Sequence, residues 1–227
     1  MTKKIDFDDY TENYNQLLRE GTGFFSSSEE YFARYKVDLV RKQVNTSVGH
    51  VLEYGCGIGR NIPFLQQAFP SASIIGSDIS AASLETARHE NIGVEFFLED
   101  EDIEPTELFD VIFVAGVFHH IPLQQRAEAV KTLFNRLSPD GKLFIFEHNP
   151  YNPVTRRIVN NCPYDEDAVL LKPSELKSLL TEAGLNVEHK AYCLFVPPSL
   201  SALTWMESRL GWLPLGGQYW IQARRPV

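Results

Sequence analysis

The residues able to do chemistry in this 227-residue chain fall at four places. Residues 50–65 read HVLEYGCGIGRNIPFL, in which an apolar run ends in an acid, Glu53, and glycines follow at alternate positions, Gly55, Gly57 and Gly59. Glycine permits positive φ and close backbone approach, so this loop is built to lie against something. About twenty residues beyond it, Asp78 ends the run ASIIGSD, where an acid can receive two ribose hydroxyls. His119 and His120 stand side by side in FDVIFVAGVFHHIP, and Glu147 with His148 closes GKLFIFEH. Histidine titrates near neutrality, and a carboxylate beside it fixes the tautomer and stabilises the cation. If neighbouring strands bring Glu147 to His119 or His120, an oriented general base results. His148 is a further candidate.

The glycine loop discriminates between ligands. A dinucleotide needs GxGxxG spacing, with its pyrophosphate on the helix N-terminus. Here the spacing is GxGxG, and Glu53 would repel a pyrophosphate and attract a cation. The GK[ST] ending of a phosphate-binding loop is also missing.

The surrounding elements must place these groups at one end of a sheet. VLEY, ASIIGSD, GVEFFL, FDVIFVAGVF and GKLFIFEH are short, β-rich and nearly continuous in apolar character. That is the pattern of strands buried on both faces. Between them, QQRAEAVKTLFNRL sets Ala127, Val130, Leu133, Phe134 and Leu137 on one side of a helix and ends at the turn signal SPDG. KPSELKSLLTEAGL has Pro173 near its start and Gly184 past its end, as helix boundaries prefer. Alternating β and α segments predict an α/β fold with a doubly wound, mostly parallel sheet. Residues 1–48 predict a helical N-terminal lid of two helices joined at GTGFFSS, the second opened by Ser27 and Glu30 as a capping box. Residues 49–227 form the main domain, with a long insertion at about 149–171, and long excursions in compact domains are usually functional.

LEYGCGIGRNI resembles the glycine-rich first motif of class I S-adenosylmethionine-dependent methyltransferases of the small-molecule type. VEFFLEDEDI, FDVIFVAGVFHHIP and LSPDGKLFIFEH resemble the later strand-end segments of that family, in order and at family spacing. The resemblance implies a Rossmann-like seven-stranded sheet with its last strand antiparallel. It also implies S-adenosyl-L-methionine as cofactor, held by Glu53, Gly55, Cys56, Gly57, Gly59 and Asn61. Asp78, Ile79, Asp100, Glu101 and Ala115 would serve the ribose and adenine end, and Tyr14 would act from the lid. The catalytic candidates are His119, His120, Glu147 and His148. No metal site is expected: Asp165, Glu166 and Asp167 in the insertion are candidate oxygen ligands for a metal-assisted methylation, but they read rather as a substrate-facing or solvated loop.

Bulk properties narrow the partners. The net charge is −9, and no basic run appears, so nucleic acid is disfavoured. Hydrophobic residues at 44% and charged residues at 22% are ordinary for a globular protein. Cys56, Cys162 and Cys193 form no CxxC pair, and no signal peptide or spanning segment is visible, so the expectation is a cytoplasmic protein. The acceptor is expected to be a small, apolar or amphipathic molecule under Phe24, Phe25, Tyr31, Tyr151, Tyr164, Trp205, Trp212 and Leu213, methylated at oxygen. Arg156 and Arg157 could grip a phosphate or carboxylate, which leaves open a peripheral contact with a lipid-like substrate. Nitrogen, carbon or sulfur methylation, and a catalytically silent cofactor-binding regulator, are the alternatives. Oligomeric state is not legible.

Overall fold

The computed structural model describes residues 29–99, 107–197, 200, 203 and 205–226. Tyr14, Phe24, Phe25, Asp100, Glu101, the first N-terminal helix and Ser27 lie outside the described residues.

The continuous apolar runs form the strands β1 (His50–Tyr54), β2 (Ser73–Asp78), β3 (Glu95–Leu98), β4 (Phe109–Ala115) and β5 (Leu137–His148). With β6 (Asn186–Cys193) and β7 (Gln218–Arg224) they make one seven-stranded sheet in the order β3-β2-β1-β4-β5-β7-β6. The first five strands pair in parallel, and β7 pairs antiparallel with both β5 and β6. The resemblance implied this antiparallel last strand. Strand order reverses between β1 and β4, and in open α/β sheets ligands bind at such a reversal, beyond the strands' carboxyl ends.

Helices cover both faces, as strands without a polar side require. On one face α1 (Glu29–Gln43), α2 (Ile62–Ala68) and α3 (Ala81–Glu90) contribute Val37, Val40, Ile62, Leu65, Leu84 and Ala87 to a core with Val51, Phe113, Phe144 and Phe146. On the other, α4 (Arg126–Arg136) and α6 (Pro173–Glu182) bury Val130, Leu133, Leu176 and Leu180 against Leu52, Ile112, Val114 and Ile145. Ser80 caps α3 by accepting from the Ser83 N–H, as Ser, Thr, Asp and Asn do at helix starts. Pro173 opens α6, and Gly184, with φ +91°, follows its end.

Three expectations need correction. Strand β4 stops at Ala115, so His119 and His120 lie in the turn after it and not at its end. Gly116 turns the chain with φ +73°, and its N–H makes a last bond to the Phe146 carbonyl at 2.8 Å. The SPDG segment is a bulge inside β5, not a loop before it. Leu137 pairs with Phe109 and the ladder resumes at Lys142 with Val111. Ala127 is exposed on α4, and the guanidinium of Arg126 is buried beside it.

The segment between β5 and α6 is ordered. It holds α5 (Pro153–Asn161), capped by the Asn152 side chain, and a single 3-10 turn at Pro163–Asp165. A short α7 (Glu207–Leu210) precedes β7. Glu207, buried, accepts from the Phe195 and Val196 N–H groups and from the Tyr35 hydroxyl, which ties α7 to α1. Among the described residues no helix is long and apolar enough to cross a membrane.

Candidate functional site

The crease beyond β1 is assembled from local backbone geometry. Glu53, 1% exposed, points its Oε1 at the Asn61 side-chain amide, which donates at 2.5 Å from the start of α2. Its Oε2 has no hydrogen-bond partner among the described residues. Burial pushes the Glu53 carboxyl up to about 8, against the amide of Asn61 and the charge of Lys36, which hold it down. A buried acid with one empty oxygen is costly unless a cation or donor completes it.

The glycines divide by neighbour. A side chain on Gly55 would run into Val117 at 2.4 Å, so that glycine lets the turn after β4 close against the loop. Gly57, with φ +52°, would present a methyl that meets nothing within 4 Å among the described residues. Gly59 turns against Asn91, and the small Cys56 is buried with its N–H on the Ser77 carbonyl. Asp78 accepts from the Gly57 N–H at 2.7 Å and the Ser80 N–H at 2.9 Å, so it braces the loop with one bond to each carboxylate oxygen. Burial raises its pKa. Beside it Ile79 is 49% exposed, an apolar surface at the strand end. Ala115, half-buried, closes β4 opposite Phe146.

The second half of the site is a histidine–carboxylate cluster. Parallel pairing of β4 and β5 puts the turn after β4 over the end of β5. There Glu147, fully buried, accepts from the Val117 and Phe118 N–H groups through Oε1 at 3.0 and 2.7 Å. Its Oε2 faces His119 Nδ1 at 2.7 Å. The 3-10 turn brings Asp165 Oδ1 to 3.5 Å from His119 Nε2 and 3.3 Å from His120 Nε2. Asp167 Oδ1 lies 3.7 Å from His120 Nδ1. The His148 ring is 4.9 Å from that of His119, and Tyr164 packs edge-on to His120 at 5.2 Å.

Burial disfavours a charged imidazole, yet Glu147 and Asp165 together hold His119 above its ordinary pKa. His120 is pushed down by burial and then by the neighbouring His119 charge, and His148 by the same two causes to about 4. Glu147 and Asp165 are held low despite burial by the imidazoles they face. The two carboxylates thus favour the cation on His119 over a cation on His120 or His148.

The segment after β5 is fastened over this cluster. The Val169 N–H donates to the His119 carbonyl at 2.8 Å, and Arg126 donates to the Ile121 and Val169 carbonyls. Tyr151, Trp205 and Trp212 are 49%, 59% and 77% exposed, and Arg156 and Arg157 are exposed on α5. Of the acidic stretch after β3, Glu99 is described, and it pairs with Arg136 at 2.8 Å.

Two contributors escaped sequence reasoning, one wholly and one in part. Burial lowers the pKa of Lys36, on α1, while the Glu53 and Glu147 carboxyls work to hold it up. Its signal was a lysine on the helix face that buries Ala33, Val37 and Val40. Asp165 stood out only as an acid of the insertion, a second-choice oxygen ligand with no named partner, because its partners lie 46 and 45 residues away and reach it through the fold.

A model of the methyltransferase domain matches residues 26–190. An uncharacterized methyltransferase of Staphylococcus carnosus (strain TM300) is 29% identical over 179 residues, covering 71% of this chain and 83% of that protein. The trans-aconitate 2-methyltransferase of Acidovorax sp. (strain JS42) is 27% identical over 195 residues, covering 79% and 75%. The fold matches the crystal structure of the N-methyltransferase NodS from Bradyrhizobium japonicum WM9 in complex with S-adenosyl-L-homocysteine. The TM-score is 0.64 at 18% identity, covering 98% of this chain and all of that one, 100%. The domain match runs from α1 through the glycine crease and the histidine cluster into β6, and the chain accordingly belongs to the class I S-adenosylmethionine-dependent methyltransferases.

Proposed function

We propose that this enzyme methylates a small, apolar or amphipathic acceptor at a hydroxyl oxygen. The crease fits the family's cofactor, S-adenosyl-L-methionine, on its own features. Among the described residues Glu53 Oε2 lacks a partner and Gly57 opens onto free space, while Asp78 stands at the strand end and Ile79 offers an apolar face. Glu53, Asn61 and Lys36 would meet the charged amino-acid end, and Asp78 and Ile79 the nucleoside end. When bound, the cofactor supplies an electrophilic methyl on a sulfonium: the new carbon–oxygen bond forms as the carbon–sulfur bond breaks, and the sulfur leaves as a neutral thioether.

The remaining chemistry belongs to the chain. The acceptor hydroxyl must give up its proton, and the observation that carries an oxygen acceptor is the buried His119–Glu147 pair at 2.7 Å beside two further imidazoles. Both ring nitrogens of His119 face carboxylates, so His119 holds the arrangement. The proton passes to His148 or His120, and the resulting cation is balanced by Asp165 and Glu147. A positioned base of this kind is worth about 10²–10⁴-fold. Tyr164, packed on His120, and the cover segment after β5 help exclude water from the reacting groups.

The test is a screen of small hydroxylated, carboxylated and amine acceptors with methyl-labelled cofactor. Transfer to a hydroxyl, with a rate that rises over the acid range as the lowered imidazole base deprotonates and levels off by neutral pH, supports the reading. Transfer confined to amines contradicts it.

A further inference from the structure

We propose that His119, His120 and Asp165 form a binding site for one divalent transition-metal ion, of which zinc is the best fit. The three side chains offer ligand atoms that all lie within 4.8 Å of one another. Asp165 Oδ1 stands at the apex, 3.5 Å from His119 Nε2 and 3.3 Å from His120 Nε2. Bonds of about 2.0–2.1 Å at tetrahedral angles separate neighbouring donors by about 3.3 Å. The two spacings therefore match the edges of a zinc coordination polyhedron, and they are long for charge-assisted hydrogen bonds.

The groups behind the ligands follow the same pattern. A metal-bound histidine usually donates its other N–H to a carboxylate, which fixes the tautomer and aims the ring. His119 turns Nδ1 to Glu147 at 2.7 Å, and His120 turns Nδ1 toward Asp167 at 3.7 Å, while both turn Nε2 to Asp165. His119 thus has a hydrogen-bonded carboxylate behind it, His120 has one nearby but beyond hydrogen-bond distance, and the two share one in front. Two nitrogens and one carboxylate oxygen suit zinc, cobalt or iron(II) better than magnesium or calcium, which prefer all-oxygen sites. Three protein donors also leave a coordination position open, as catalytic sites do and structural sites do not.

For the ion's role, though not for its binding, this inference rests on the methyl-transfer reading. An acceptor oxygen in the open position would be aimed at the methyl and made more acidic. His148, the imidazole outside the ligand set, would then take its proton.

The experiment uses tag-free, chelator-treated protein titrated with Zn²⁺ by calorimetry and with Co²⁺ by visible absorption. S-adenosyl-L-homocysteine binding is measured on the same samples. The expected result is one ion per chain, with the strong visible bands of four- or five-coordinate Co²⁺. Asp165→Asn and His120→Gln should each abolish those bands, and Glu147→Gln should weaken binding by about 10–100-fold. All three should keep native circular dichroism and homocysteine-product binding. No saturable Co²⁺ or Zn²⁺ binding by the wild type, or unchanged binding by a folded Asp165→Asn, would overturn the assignment and leave methyl transfer standing. Absence of product binding by the wild type would instead remove the methyl-transfer reading and the role given to the ion, whichever way the metal titration turned out.

Discussion

Glu147 and His119 are 28 residues apart in the chain, yet Oε2 and Nδ1 meet at 2.7 Å inside the protein. The contact exists because β4 and β5 are parallel neighbours and because Gly116 folds the chain back over the end of β5. The same carboxylate takes the Val117 and Phe118 N–H groups, so one side chain fixes both the turn and the imidazole.

That double duty separates two substitutions. In Glu147→Gln the amide oxygen can still accept from Val117 and Phe118, so the cost should be about 1–3 kcal/mol, from the lost bond to His119. Glu147→Ala leaves those donors and the imidazole unmatched in a buried place and should cost about 3–5 kcal/mol. Urea unfolding of the two variants measures the difference, and equal losses would mean that the backbone bonds contribute nothing.

His148 is the base candidate outside the His119–Asp165–His120 contacts. His148→Gln should lower kcat by about 10²–10⁴-fold at neutral pH. Affinity for S-adenosyl-L-homocysteine should stay within about twofold, because His148 is assigned to the acceptor and not to the cofactor. Steady-state kinetics beside calorimetry reads both, and a wild-type kcat would remove His148 from the chemistry.

Glu53 predicts a pH signature. Its ordinary value is 4.5, and burial raises it in the fold to about 8. Below pH 4.5 the acid is neutral in both folded and unfolded chains and contributes nothing. As pH rises toward 8 the unfolded chain loses its proton while the folded one keeps it, so the stability of the ligand-free protein falls across that window, and above 8 the whole penalty is present. A bound cation favours the carboxylate, so cofactor binding at pH 7 should release a proton. Binding enthalpies in buffers of different ionisation enthalpy should differ, and the difference should vanish in Glu53→Gln.

The glycines offer a sharper contrast. Gly55→Ala puts a methyl 2.4 Å from Val117 and should damage folding. Gly57→Ala meets no atom of the described residues within 4 Å, so its structural cost there is that of the left-handed backbone, about 1–2 kcal/mol. Its methyl would point into the space assigned to the cofactor. Gly57→Ala should therefore fold and bind S-adenosyl-L-homocysteine poorly, and tight binding by this variant would move the cofactor elsewhere.

Much of this was legible in the chain because it depends on local pattern. Strands buried on both faces must be continuously apolar, so Val51–Leu52, Ile74–Ile75, Val111–Val114 and Leu143–Phe146 announced themselves. Glu53 with its glycines was readable because a strand-end acid and left-handed turns have a fixed local spacing. The end of β4 was misplaced because Val117 and Phe118 are as apolar as the strand, and only the positive φ of Gly116 marks the turn. Lys36 was missed, and Asp165 was left without its histidine partners, for a different reason. Each reaches the site through tertiary packing, one from a segment folded back over the cluster and one from a helix laid across the sheet; the partners of both are distant in sequence, and only Lys36 carries a local mark, its place on an apolar helix face.

The central claim is that the crease holding Glu53, Gly57 and Asp78 receives the adenosyl cofactor. Titration of the folded wild-type chain with S-adenosyl-L-homocysteine by calorimetry tests it most directly. The account predicts saturable binding of one molecule per chain, lost in Gly57→Ala. A native, well-folded wild type that binds neither this product nor S-adenosyl-L-methionine would contradict it.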